Sequence, residues 1–179
     1  HQISPDSKVY DFTLKDRIFW HDGKELTADD IIFTIRVIQN SDYKSPLRAN
    51  WIDVDVEKVS YKSVRFILRS PYSSFLENLT FKILPSHIWQ NIPPENFTLS
   101  PYNLQPIGSG PYKFSNITQT SGFIKSIDLE SNRKYYGQTS HIKKISFQFF
   151  ESKESLAKSV NEKKIDGFAL SAFDDNTVL

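Results

Sequence analysis

Phe19-Trp20-His21-Asp22-Gly23-Lys24-Glu25-Leu26-Thr27-Ala28-Asp29-Asp30-Ile31 is the stretch on which the reading of this 179-residue chain turns. Asp22-Gly23 signals a tight reversal, because glycine takes the positive φ that such a turn needs. Ile18 to Trp20 enters the turn as a short strand. Thr27 then starts a helix: its hydroxyl is placed to accept from the amide of Asp30, and Asp29 and Asp30 sit at the positive end of the helix dipole. Ala28, Ile31, Ile32, Ile35 and Ile38 follow the i, i+3, i+4, i+7 pattern, so the helix is expected to run to about Gln39 with that stripe buried.

Upstream, Tyr10, Phe12 and Leu14 alternate with polar neighbours, the period of a half-buried strand. Downstream the same period returns from Ile52 to Arg69, with Val54, Val56, a polar turn at Ser60 to Ser63, then Val64, Phe66 and Leu68, which predicts a hairpin. Ser73 to Leu79 reads as a short helix with Phe75, Leu76 and Leu79 inward, and Pro85 opens another helical turn through Trp89. Pro93, Pro94, Pro101 and Pro106 mark a loop from 91 to 106 that is the best boundary candidate. It divides the chain into 1–105 and 106–179. Strands follow at Tyr112 to Phe114, Phe123 to Leu129 and Ile142 to Phe150. A helix at Glu151 to Lys163 with Leu156, Ala157 and Val160 inward precedes a strand at Ile165 to Leu170. Strand, helix, strand at this spacing predicts a β-α-β unit with parallel pairing. Asp174-Asp175-Asn176 reads as the start of one more helix. The fold class is mixed α/β.

Composition excludes several function classes. Lys+Arg number 22 against 21 Asp+Glu, so there is no charge excess to hold a nucleic acid or an anionic membrane. No apolar run approaches the roughly 20 residues of a membrane helix. The absence of cysteine removes disulfides, thiol catalysis and thiolate metal sites. With no methionine and no signal-like start at His1-Gln2-Ile3, the chain reads as a processed or excised piece.

No catalytic constellation emerges. His1, His21, His87 and His141 lack the close spacing of metal ligands, and neither a metal nor a cofactor is expected. Asp29-Asp30 and Asp174-Asp175 are accounted for as helix starts. Gly108-Ser109-Gly110-Pro111 fits neither a phosphate loop nor a nucleophile elbow and reads as a turn or a close chain crossing. The sequons at Asn78, Asn96 and Asn116 are of a number that chance supplies, and Lys143-Lys144 and Lys163-Lys164 read as solvated faces. Aromatic residues (14 Phe, 8 Tyr, 3 Trp) fall mostly on strand faces and belong to a core. Trp51 and Phe173 lie at strand ends, where open α/β sheets bind ligands.

Read in order, several segments resemble the extracellular solute-binding proteins of family 5, which include oligopeptide-, dipeptide- and nickel-binding components of ABC importers. Tyr10 to Leu14 followed by Phe19 to Ile31 is similar to the family's most recognisable stretch. Ile83-Leu84-Pro85-Ser86-His87-Ile88-Trp89 resembles its "LPKHIW" segment, and Pro106-Ile107-Gly108-Ser109-Gly110-Pro111-Tyr112 its "PIGTGPY" segment. Asn132 to Gly137 matches its "NPxYW-G" turn loosely, departing at Lys134 and Tyr136. Lys164-Ile165-Asp166 stands where the family has "GEID".

The resemblance implies a two-lobed type II periplasmic-binding-protein fold that encloses ligand by hinge closure. This chain would be the first-lobe portion: 1–105 as the extra subdomain, 106–179 as a partial β-α-β ligand-binding part, the second lobe absent. The implied function is to capture peptides or a related small solute in the periplasm or at the cell surface and deliver them to an ABC permease. It implies no enzyme activity, no nucleic acid, and membrane contact only through the permease or an N-terminal lipid anchor outside this chain. Trp20, Asp22, Gly23, Asp29, Gly108, Gly110 and Pro111 are implied to turn, cap and pack. Ligand would be lined by Ala169, Leu170, Ser171, Ala172 and Phe173, with Arg48 and Trp51. The competing readings are a ligand-sensing regulatory domain on the same fold, a binder of a sugar or nickel chelate, and a metal-dependent hydrolase using Asp or His.

Overall fold

The computed structural model describes residues 1–169, which form two compact units. The first comprises His1–Phe114 and Glu130–Lys143; the second comprises Ser115–Leu129 and the chain from Lys144 onward. The 91–106 loop thus falls inside the first unit, not at its edge. Its proline-rich sequence makes two short turns that pack: Phe97 lies 4.6 Å from the Tyr43 ring and 4.5 Å from Trp89, and Ser100 is buried.

In the first unit, β1 (Gln2–Ile3), β2 (Val9–Thr13), β3 (Val54–Lys58) and β4 (Ser63–Leu68) form an antiparallel sheet of order β1-β2-β4-β3. The register sets Tyr10 opposite Phe66 and Val56 opposite Phe66 on its other side, so one pleat face is apolar across three strands. Helix α1 (Ala28–Gln39) covers that face with the stripe its periodicity predicts: Ala28, Ile31, Ile32, Ile35 and Ile38 are all in the core. Thr27 and Asp30 form a capping box: the Thr27 side chain faces the Asp30 amide, the Thr27 amide donates to Asp30 Oδ2 at 2.9 Å, and the Asp30 amide also donates to the Thr27 carbonyl at 3.2 Å.

Short helices close the core. α2 (Arg48–Trp51) and α3 (Phe75–Asn78) insert one aromatic each, and Trp51 meets Phe66, Phe75 and Phe81 with ring centroids 5.8, 5.7 and 5.0 Å apart. Leu76 of α3 is exposed, contrary to its expected inward place, because a single turn presents Phe75 and Leu79 on one face and turns Leu76 about 100° away. α4 (Ser86–Trp89) begins after Pro85, as its ring favours, and α5 (Pro94–Phe97) follows. Ile18 to Trp20 is not a full strand; Phe19 and Glu25 form an isolated bridge around the turn.

β5 (Tyr112–Thr120), β6 (Phe123–Ser131) and β7 (Lys144–Gln148) form a second sheet in that order. Ser121 and Gly122, both at positive φ (51° and 83°), make the two-residue link between β5 and β6, the geometry of a type I′ hairpin. The bonds Ser131 N to Lys143 O and Phe149 N to Lys125 O run β7 antiparallel to β6. Helix α6 (Lys153–Asn161) then starts at Ser152, whose hydroxyl accepts from the Ser155 amide, and half buries Leu156, Ala157 and Val160. The strand expected from Ile165 is not formed over Ile165–Ala169. Those residues take no part in a ladder among the described residues, and all but Ile165 are exposed. The expected helix start at Asp174-Asp175-Asn176 lies outside the described residues.

Candidate functional site

A set of convergent hydrogen bonds is built on the tight hairpin of residues 18–26. Gly23 adopts φ +92°, the left-handed conformation the reversal requires, and its amide donates to the Trp20 carbonyl at 2.9 Å. The turn buries Ile18, Trp20 and Leu26 as a small cluster of their own, with Leu14, Ile83 and Ile107 packed against it. Beneath it lies Asp30, 3% exposed. Its Oδ2 accepts from the Thr27 amide and, at 3.3 Å, from Trp20 Nε1; its Oδ1 accepts from the Ser86 amide at 2.8 Å and the Ser86 hydroxyl at 2.7 Å. A buried carboxylate is costly unless its lone pairs are filled, and four donors fill these. Asp30 therefore ties hairpin, α1 and α4 together. Asp29, the residue singled out from sequence, is exposed and pairs with Lys58 at 2.7 Å.

The Gly108-Ser109-Gly110-Pro111 segment is a close crossing against the same hairpin. The His21 amide donates to the Gly108 carbonyl at 2.8 Å, and the Gly108 amide donates to His21 Nδ1 at 3.1 Å. A Cβ on Gly108 would stand 3.3 Å from His21 Cε1, so glycine lets the two backbones approach. Asn132, buried, closes the crossing from the other side: its Nδ2 donates to the Gly110 carbonyl at 3.0 Å and its amide to the Pro111 carbonyl at 2.7 Å. Asp22 Oδ1 accepts from the Lys24 amide, and Asp22 Oδ2 lies 2.7 Å from His87 Nε2. Burial raises the Asp22 pKa, but the hydrogen bonds from His87 and Lys24 and the positive charge of both outweigh it and hold the carboxyl below its usual range.

Sequence reasoning named Trp20, Asp22, Gly23, Gly108, Gly110 and Pro111 here but missed Asp30, His21 and Asn132, whose partners lie far along the chain. Of the residues expected to line ligand, Arg48, Trp51 and Ala169 are among the described residues. Trp51 is 1% exposed at the centre of the aromatic core, so its ring has no face to offer a ligand. Arg48 is half buried, its Nε donating to the Gln39 carbonyl at 2.8 Å. Ala169 is exposed, and Leu170, Ser171, Ala172 and Phe173 lie outside the described residues. Arg48 and Trp51 belong to the first unit and Ala169 to the second.

Within the second unit, an open hollow of about 560 Å³ is lined by β6, β7 and the start of α6, including Lys125, Gln148, Phe149 and Ser155. Lys125 pairs there with Glu151. Among the described residues no three His, Asp or Glu side chains converge as a metal site requires, and no helix is long and apolar enough to cross a membrane.

The model of the bacterial extracellular solute-binding proteins, family 5 Middle, matches residues 1–177. The oligopeptide-binding protein AppA of Bacillus subtilis is 32% identical over 173 residues, covering 94% of this chain and 31% of that protein. Its structure in complex with a nonapeptide superimposes with a TM-score of 0.80 at 29% identity, covering 92% of this chain and 32% of that one. NikZ from Campylobacter jejuni in complex with Ni(L-His) gives a TM-score of 0.79 at 31% identity, covering 92% of this chain and 32% of that one. The chain thus spans about a third of the length of the relatives it matches. The mixed α/β fold is that of part of a lobe of a type II periplasmic binding protein. The family and these relatives are binding proteins rather than enzymes.

Proposed function

The chain belongs to the bacterial extracellular solute-binding proteins of family 5, and on that premise we propose that it forms part of the substrate-binding component of an ABC importer. In this reading the whole protein captures a peptide outside the cytoplasm and hands it to a membrane permease without catalysing a reaction. The observation that carries the proposal is the joint likeness, in sequence and in fold, to a protein whose structure holds a nonapeptide. A second reading, capture of a nickel chelate, is favoured by the similar likeness to the Ni(L-His) complex.

The proposed ligand-facing segment is Ala169 to Phe173. A backbone edge at Leu170 to Ala172 would bond an extended peptide in strand fashion, which reads main chain rather than side chains and so tolerates many sequences. Arg48 is kept as a secondary candidate, and Trp51 is left to the core. The test is calorimetric titration of peptides into the full-length protein carrying Leu170→Pro or Ser171→Pro. Each proline removes an edge donor and is expected to weaken binding about tenfold or more. Unchanged affinity would contradict the assignment.

A further inference from the structure

Independently of any ligand, the first unit builds one titratable ring into a backbone crossing. His21 Nδ1 accepts the Gly108 amide at 3.1 Å while Nε2 lies 3.2 Å from the Gly110 carbonyl. Only one protonation state serves both contacts: the neutral imidazole with its hydrogen on Nε2. Asn132 holds the same Gly110 carbonyl and the Pro111 carbonyl. The node therefore ties the hairpin turn to the residues immediately before β5 and immediately after β6. Two charged groups act on the ring. Lys113, on β5 and paired with Glu130 of β6 at 2.8 Å, opposes a second cation; Asp22, paired with His87 of α4, favours one.

We propose that His21 is an acid-sensitive clasp on this crossing. Protonation at Nδ1 replaces the acceptor of the Gly108 amide with a competing donor, so the Gly108 amide loses its partner and the crossing keeps only the His21 amide bond to the Gly108 carbonyl, the Nε2 contact and Asn132.

The sign follows from the environment. Burial lowers the His21 pKa most, the Gly110 carbonyl raises it, Lys113 lowers it and Asp22 raises it, leaving it below the usual 6.5. A histidine whose folded pKa is depressed contributes its full stabilisation above the unfolded value and loses it as pH falls through the folded one. The clasp is thus closed at neutral pH and opens on acidification.

Amide hydrogen exchange of Gly108 in the full-length protein, corrected for the intrinsic pH dependence of exchange, tests this directly. Opening is expected to rise by up to about tenfold per pH unit below about pH 6.5 and to level off beneath the folded pKa of His21. The Leu26 amide, which donates to the Ile18 carbonyl in the same hairpin, has no titratable acceptor and should stay flat across that range. His21→Gln keeps an acceptor but cannot titrate, so Gly108 opening should lose its pH dependence. A Gly108 profile flat with pH in the unsubstituted protein, or one that Leu26 follows in parallel, overturns the proposal whether or not the variant folds.

Discussion

The indole Nε1–H of Trp20 donates to the Asp30 carboxylate across 3.3 Å, joining the hairpin turn to the first turn of α1. The same carboxylate receives Thr27 and both donors of Ser86, so one buried side chain fixes where three segments of the chain meet. The stretch from Phe19 to Ile31 is, in this structure, the place where hairpin, α1 and α4 are tied together.

Asp30→Ala leaves those four donors facing a void. Leaving a buried neutral donor without its acceptor costs about 1–3 kcal/mol. Urea denaturation is expected to show a loss of that size, and a loss below about 1 kcal/mol would mean that the donors find other partners.

Trp51→Ala opens a cavity among Phe66, Phe75 and Phe81. The expected loss of stability is about 3–5 kcal/mol, by the same measurement. A near-neutral change would restore Trp51 as a candidate for contact with ligand.

Gly108→Ala places a methyl group 3.3 Å from His21 Cε1. Displacing the ring is expected to cost about 1–3 kcal/mol, and most of that cost should vanish when His21→Ala is already present. Equal costs in the two backgrounds, in a double-mutant cycle on stability, would show that the crossing is not held by that contact.

Helix α1, the β3–β4 hairpin and the tight turn were legible in the sequence because each is specified within a few residues, by a period of 3.6, a period of 2 or a glycine. What was hidden is long-range. Asp30 reads as a capping residue because that role is local, while Ser86, which fills its other oxygen, lies 56 positions away. Trp51 stands near a strand end in sequence, yet a single-turn helix rotates it into the aromatic core, a choice made by Phe66, Phe75 and Phe81 from three other segments. The parallel β-α-β expectation for the last third failed at Ile165–Ala169, since a short apolar run can pair only where a neighbouring strand lies beside it, and the run does not reveal that neighbour. Of the ligand-facing residues, the resemblance named a segment that lies mostly beyond the described chain.

Peptide capture by the whole protein is tested most directly by native mass spectrometry of the full-length protein as purified, compared with the same sample under denaturing conditions. A set of peptide-sized adducts lost on denaturation is the predicted result, and their masses give the ligand length. A protein that is bare as purified and stays bare when offered a peptide library would contradict peptide binding, and a single adduct carrying nickel would move the assignment to a metal chelate.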